Sequence, residues 1–157
     1  MIFLGIDPGT RRIGYGFINV EKGVFQLVDA GIFPIASDNH LGAIREACIG
    51  VDRAIKKFKP SVVALERIFF AKNRKTGIQV AEMRGVLLSS ILAHRLPVEE
   101  YSPNEVKSSL TGYGLADKKA VLKMVRLLLG EPSLTIIDDA SDALAIALVA
   151  AMRNRSY

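Results

Sequence analysis

The chain has 157 residues, half of them apolar, and its 21 Lys and Arg residues against 16 Asp and Glu residues give a net charge of +5. This length fits one domain with a full hydrophobic core, and a pI near 9.5 favours a polyanionic partner such as a nucleic acid. The single cysteine, Cys48, excludes an internal disulfide, and no apolar run approaches the ~20 residues that span a bilayer, so we expect a cytoplasmic protein without secretion signal or membrane insertion.

The first predicted strand ends abruptly in a carboxylate. Residues 1–6 form an apolar run, and Pro8 and Gly9 stop this run immediately after Asp7, which indicates a strand buried on both faces. A charge beside such a segment is costly unless it is paired or bound to a cation. Asp7 is therefore a candidate functional acid, and the structural alternative is an Asx-type turn, since Asp-Pro-Gly is a common turn sequence.

The next two strands predict an antiparallel meander, and a helix follows them. The helix is indicated by one apolar stripe with spacings of 3 and 4 residues, with Asp38 or Asn39 as its cap and Pro60 at its end. The strands cover residues 13–20 and residues 24–30, the second continuing toward Phe33, with turn chemistry at residues 21–23. The stripe consists of Leu41, Ile44, Cys48, Val51, Ile55 and Phe58.

A second acid, Glu66, ends the apolar strand at residues 61–66 and so repeats the opening pattern. Strands joined through a long helix run parallel, so Asp7 and Glu66 are expected at the same edge of the sheet. The structural alternative for Glu66 is a salt bridge to the adjacent Arg67 or to another basic residue at the surface.

A basic segment containing two aromatic residues, Phe69 and Phe70, comes directly after Glu66. Such a segment can stack on nucleic-acid bases while its cations, among them Lys72 and Arg74, hold phosphates. Alternatively, the aromatic rings pack beneath the loop. The long helix predicted at residues 76–96 has apolar residues on more than one side, which indicates two packing partners and favours a second subunit.

Three further elements complete the middle of the chain: a fifth strand at residues 97–101, a short helix to about Leu110 and a helix at residues 118–129. A capping box from Ser102 to Glu105 starts the short helix, and Asp117 caps the next one. Lysines near these helix starts can meet phosphates, although a helical lysine is usually only solvated. These lysines are Lys107, Lys118 and Lys119.

Two more acids, Asp139 and Asp142, lie three residues apart and share one face of the last predicted helix. The many alanines of this helix permit close approach to the sheet. Acids in a first turn also suit the positive helix end, which is the structural alternative. Asp138 falls off the shared face and is expected to cap the helix.

Four acids converging at one edge cannot all ionise comfortably without a cation among them. Magnesium fits this requirement because it prefers carboxylate oxygens, water and phosphate, and the sequence offers no His or Cys cluster of zinc spacing. Two such ions can activate a water molecule and stabilise a leaving 3′-oxygen. The pattern therefore predicts a metal-dependent nuclease.

Three motifs, GIDPG at residues 5–9, LERIFFAKN at residues 65–73 and DASDALA at residues 139–145, resemble the RuvC family of bacterial Holliday junction resolvases. The resemblance implies one ribonuclease H-like domain over residues 1–157, an α/β fold with a five-stranded mixed sheet flanked by helices. It also implies a homodimer that acts on four-way DNA junctions in recombination and repair, together with a branch-migration motor complex. The implied cofactor is Mg²⁺, with two ions per site, for which Mn²⁺ can substitute.

Carried over by position, the resemblance implies that the four acids bind metal and are catalytic, that Phe69 stacks at the opened junction, and that two lysines contact DNA near the scissile phosphate. The acids are Asp7, Glu66, Asp139 and Asp142, and the lysines are Lys107 and Lys118, with weaker support for Lys119. Asp138 precedes Asp139 where the family usually has one ligand, and spacing to Asp142 favours Asp139.

Three other hypotheses compete with a junction-cleaving enzyme. GIDPGT also resembles the first phosphate loop of actin-like and sugar-kinase ATPases, but the chain supplies one lobe and no second glycine-rich loop, so we expect no nucleotide cofactor. A non-catalytic junction-binding module would need the acids to be incidental. A related ribonuclease H-like nuclease or transposase would differ mainly in substrate.

Overall fold

The computed structural model describes residues 1–67 and 74–154, the first three residues of the second range by their backbone only. Strands and helices follow one another in the order predicted from the sequence. The strands are β1 (Ile2–Asp7), β2 (Gly14–Glu21), β3 (Val24–Ile32), β4 (Val62–Glu66) and β5 (Val98–Tyr101). The helices are α1 (His40–Phe58), α2 (Arg74–Ala93), α3 (Pro103–Thr111), α4 (Lys118–Leu129) and α5 (Asp138–Arg153).

The five strands form one mixed sheet in the order β3-β2-β1-β4-β5. β1 runs antiparallel to β2 and parallel to β4, which confirms the predicted meander and crossover. Ile6 of β1 is paired with Leu65 of β4, so the two residues that follow them, Asp7 and Glu66, end their strands side by side. This register explains how two distant acids meet at one sheet edge.

Helices cover both faces of the sheet. α1 and α2 pack on the face that carries Leu4, Ile6 and Leu65, whereas α3, α4 and α5 pack on the face that carries Phe3 and Ala64. Side chains alternate along a strand, so Asp7 follows Phe3 and Glu66 follows Ala64 onto the α5 side. Among the described residues, no helix is long and apolar enough to cross a bilayer.

Helix α5 lies directly against β1 and β2. A Cβ atom added to Gly5 would lie 2.0 Å from the carbonyl oxygen of Ala143, and one added to Gly14 would lie 2.0 Å from that of Asp139. The glycines of the strands and the alanines of the helix therefore allow a backbone approach that larger residues would prevent. This approach brings the start of α5 to the edge where β1 ends.

Most predicted caps are present. Asn39 accepts a hydrogen bond from the Gly42 amide at 2.7 Å, Ser102 and Glu105 form the capping box, and Asp117 accepts from Ala120. The prediction that Asp138 caps α5 is wrong, because Asp138 is the first helical residue and Ile137 occupies the cap position without a side-chain hydrogen bond.

The predicted stripe of α1 is also partly wrong. Its buried residues are Ala43, Ala47, Val51 and Ile55, whereas Leu41 is largely exposed. The small alanines lie in the core that α1 shares with α2 and the sheet, and Ile44 and Phe58 of the predicted stripe pack against this core while only partly buried. Cys48 is a free thiol of intermediate exposure on this helix.

Candidate active site

Asp7 and Glu66 form a coupled pair at the ends of two neighbouring parallel strands. The pKa of Asp7 is raised to about 8, first by burial and then by the negative charge of Glu66, a hydrogen bond with Glu66 and the charges of Asp142 and Asp139. Burial also raises the pKa of Glu66, against the opposing effects of the Asp7 hydrogen bond and of two nearby lysines. The pair therefore favours keeping a proton between its two carboxyl groups, because burial disfavours both charges and the neighbouring acids repel them.

The acids of α5 each have a cationic partner. Arg12 donates to Asp139 Oδ2 from Nε at 2.9 Å and contacts the same oxygen with Nη2 at 2.8 Å. Lys118 Nζ donates to Asp142 Oδ2 at 3.1 Å, and this bond raises the pKa of the lysine. Asp138 is 82% exposed and lies 4.0 Å from Lys118, so it stands outside the cluster.

A cavity of about 210 Å³ opens beside these acids. Glu66 and Asp142 line it together with Lys107 and Lys118. A phosphate bound in this cavity would therefore lie close to both lysines and to the acids. Lys119 is exposed and does not line this cavity. The structure thus brings together the four predicted acids and two of the three predicted lysines of this region.

The donor set fits a hard divalent cation. The clustered ligands are carboxylates, and the pKa values of Asp7 and Glu66 are raised by burial and by neighbouring negative charges, both of which a bound cation would offset. In the described parts of the chain, no three acid, His or Cys side chains converge closely enough to hold a metal ion as they stand. Asp139 and Asp142 each face a cationic side chain instead, Arg12 and Lys118 respectively.

Several predicted DNA contacts fall beyond what the structure describes. Phe69 and Lys72 lie outside the described residues, and Arg74 is described only as the first residue of α2, without its side chain.

Two charged residues of this region were not found from the sequence. Arg12 lies between β1 and β2, in a segment whose sequence carries no pattern that points to the acid cluster. Arg84 of α2 has a side chain that is 16% exposed; its Nε donates to the carbonyl oxygen of Glu66 at 3.1 Å, and its guanidinium contacts the carboxylate of Glu100. A cation between Met83 and Leu87, on the buried side of an apolar helix, is the sequence feature that points to such a role.

Comparison with known proteins gives one consistent family. The family model described as "Crossover junction endodeoxyribonuclease RuvC" matches residues 3–150. The protein of that description from Brachyspira hyodysenteriae is 44% identical and the match covers 100% of this chain and 98% of the relative. Thermus thermophilus RuvC superimposes with a TM-score of 0.89 at 31% identity, over 99% of this chain and 96% of that chain. The same protein in complex with a Holliday junction substrate gives a TM-score of 0.91 at 30% identity, over 99% and 95% of the two chains.

Proposed function

The chain belongs to the RuvC family of crossover junction endodeoxyribonucleases, and from this premise we propose that it resolves four-way DNA junctions by paired, symmetric phosphodiester hydrolysis that leaves ligatable nicks. Its fold is ribonuclease H-like, and its family consists of divalent-metal-dependent nucleases. The observation that carries the proposal is the Asp7–Glu66 pair, whose acids are forced together at the sheet edge beside the lysine-lined cavity. The rest of the chain is basic and suits a DNA partner.

The proposed metal ligands are Asp7, Glu66, Asp139 and Asp142, which would hold two Mg²⁺ ions, with Mn²⁺ as a substitute. In such sites the bound ions activate a water molecule and stabilise the leaving 3′-oxygen. The charges of the other three acids all act on Asp7, so Asp7 would be the central member of this ligand set. Because the pKa values of Asp7 and Glu66 are raised, metal binding by this pair would be accompanied by proton release.

Lys107 and Lys118 are proposed to hold the phosphate beside the acids. Both lysines line the cavity together with Glu66 and Asp142, so a DNA phosphate there would meet positive charge next to the carboxylates. Lys119, Lys72 and Arg74 are proposed as further phosphate contacts on grounds of sequence alone.

Phe69 is proposed to stack on a base at the opened junction. Phe69→Ala should then lower the cleavage rate more than the binding affinity, because a stacking residue acts on the distorted junction. We would measure single-turnover nicking and junction affinity in parallel. An equal loss of rate and affinity would count against stacking.

A homodimer is proposed to present two such sites to a two-fold symmetric junction. Ile78, Gly85 and Leu92 recur every seven residues on one face of α2 and so form a stripe. Ile78 and Leu92 are more than half exposed, and a Cβ atom at Gly85 would meet nothing within 4 Å. An exposed apolar stripe with a glycine at its centre suits close packing against the same helix of a second copy.

We propose that the protein acts in the cytoplasm as one domain, in DNA recombination and repair. It would work with a branch-migration motor complex and without a nucleotide cofactor.

The test of the proposed reaction compares a synthetic four-way junction with a linear duplex of the same sequence, each with and without Mg²⁺. We expect paired, religatable nicks in the junction only, and only with Mg²⁺. Cleavage of both DNAs at similar rates, or cleavage in EDTA, would contradict the proposal.

A further inference from the structure

Arg12 is placed to compete with a metal ion for Asp139. Its Nε and Nη2 atoms both contact Oδ2 of Asp139, at 2.9 Å and 2.8 Å. Two contacts from one guanidinium to one carboxylate oxygen leave that oxygen little capacity for another cation. A divalent ion bound to the same carboxylate would also be repelled by the guanidinium charge.

The neighbouring arginine, Arg11, does not contact the acid cluster in the same way as Arg12. Arg11 donates to the backbone carbonyl oxygens of Ser37 and Asp38 and thereby ties the turn after β1 to the segment before α1. Arg12 points instead to the acid cluster, and its side chain remains 62% exposed at the edge where DNA would approach. Asp139, the partner of Arg12, belongs to the proposed metal site and is not part of the buried core. We therefore expect the fold to tolerate the loss of this ion pair.

We propose that Arg12 is an exchangeable counter-ion of the active site, which neutralises Asp139 in the metal-free protein and contacts a phosphate of the DNA once a divalent ion has taken that carboxylate. This inference rests on the proposed function, since it requires the acids to hold metal. The guanidinium group fits a phosphate as well as it fits a carboxylate, because both present oxygens that can accept two hydrogen bonds from its planar fork.

Such an exchange would couple metal loading to substrate binding. Without metal, the Arg12–Asp139 ion pair occupies both partners, so the protein presents one cation fewer to DNA. After metal binding, the same arginine becomes available at the rim of the site. The residue would therefore weaken metal binding in the free protein and strengthen DNA binding in the loaded protein.

Arg12→Gln tests the first part of the proposal, that Arg12 weakens metal binding in the free protein. Arg53→Gln is the control. Arg53 is an exposed arginine of α1, a helix on the opposite face of the sheet from α5, so this control removes the same charge away from the acids. Thermal unfolding of the free protein over a Mg²⁺ titration gives the concentration for half-maximal stabilisation. We expect Arg12→Gln to lower this concentration about fivefold, as expected for the loss of a partly exposed ion pair, and Arg53→Gln to leave it unchanged.

The second half is tested by the salt dependence of junction binding, with Ca²⁺ in place of Mg²⁺. Loss of one phosphate contact should reduce the slope of log affinity against log salt by about one in Arg12→Gln. An unchanged Mg²⁺ midpoint, or an unchanged slope, would overturn the proposal. If the melting temperature of the wild-type protein itself does not respond to Mg²⁺, the metal site and the proposed function fail instead, which separates the two outcomes.

Discussion

Replacing Asp7 by Asn should stabilise the metal-free protein at alkaline pH. The pKa of Asp7 is about 8 against an ordinary value of 3.8, so between these pH values the folded protein retains a proton that the unfolded chain releases. Stability therefore falls as the pH rises through this window. A tenfold difference in proton affinity is worth about 1.4 kcal/mol. Over the range from 3.8 to about 8, this sets an upper limit of about 6 kcal/mol on the stability that Asp7→Asn can gain. Sharing of the proton with Glu66 and access of water at the sheet edge reduce the expected gain to about 2 kcal/mol.

The assay is thermal unfolding in EDTA at pH 5 and at pH 8. A gain of about 2 kcal/mol corresponds to a melting temperature about 6 °C higher for Asp7→Asn at pH 8 in a chain of this length, and the gain should be much smaller at pH 5. Asp138→Asn is the matched control, because it removes an exposed acid next to the site, and its pH dependence should follow the wild-type protein. Saturating Mg²⁺ should raise the wild-type melting temperature and narrow the difference from Asp7→Asn. Equal or lower stability of Asp7→Asn at pH 8 would refute the electrostatic reasoning.

Three further predictions concern the packing, the support of Glu66 and the proposed dimer. Gly5→Ala should cost about 3 kcal/mol in chemical denaturation, because the added carbon would lie 2.0 Å from the Ala143 carbonyl oxygen; a cost under about 1 kcal/mol would contradict that approach. Arg84→Met should lower the single-turnover nicking rate about tenfold at unchanged junction affinity, because Arg84 donates to the Glu66 carbonyl; an unchanged rate would remove this positioning role. Leu92→Glu should produce monomers in sedimentation velocity, and a persistent dimer would place the interface elsewhere.

The order and type of the elements could be predicted because local chemistry and topology agree in this chain. The apolar runs before Asp7 and Glu66 indicate buried strands, and a long intervening helix requires those strands to be parallel. The capping box at Ser102 and the cap at Asp117 set the starts of α3 and α4. The convergence of Asp7 and Glu66 follows from this topology alone.

Contacts between distant side chains could not be predicted in the same way. Neither the Arg12–Asp139 pair nor the Arg84 contact to Glu66 has a periodic signature, because each depends on how a turn or helix packs on a distant element. The prediction for the buried face of α1 was partly wrong because the periodicity of large apolar residues gives no weight to small alanines such as Ala47, which is buried. The cap of α5 was misjudged because Asp138 is already helical.

The most direct test of the central claim is nicking of a synthetic four-way junction by Asp7→Asn protein at concentrations that bind all of the DNA. The acid cluster is proposed to serve catalysis through bound metal, whereas the basic surface binds the junction. We therefore predict fully bound, uncut DNA at every Mg²⁺ concentration, while the wild-type protein introduces paired nicks. Cleavage by Asp7→Asn at the wild-type rate would contradict the account.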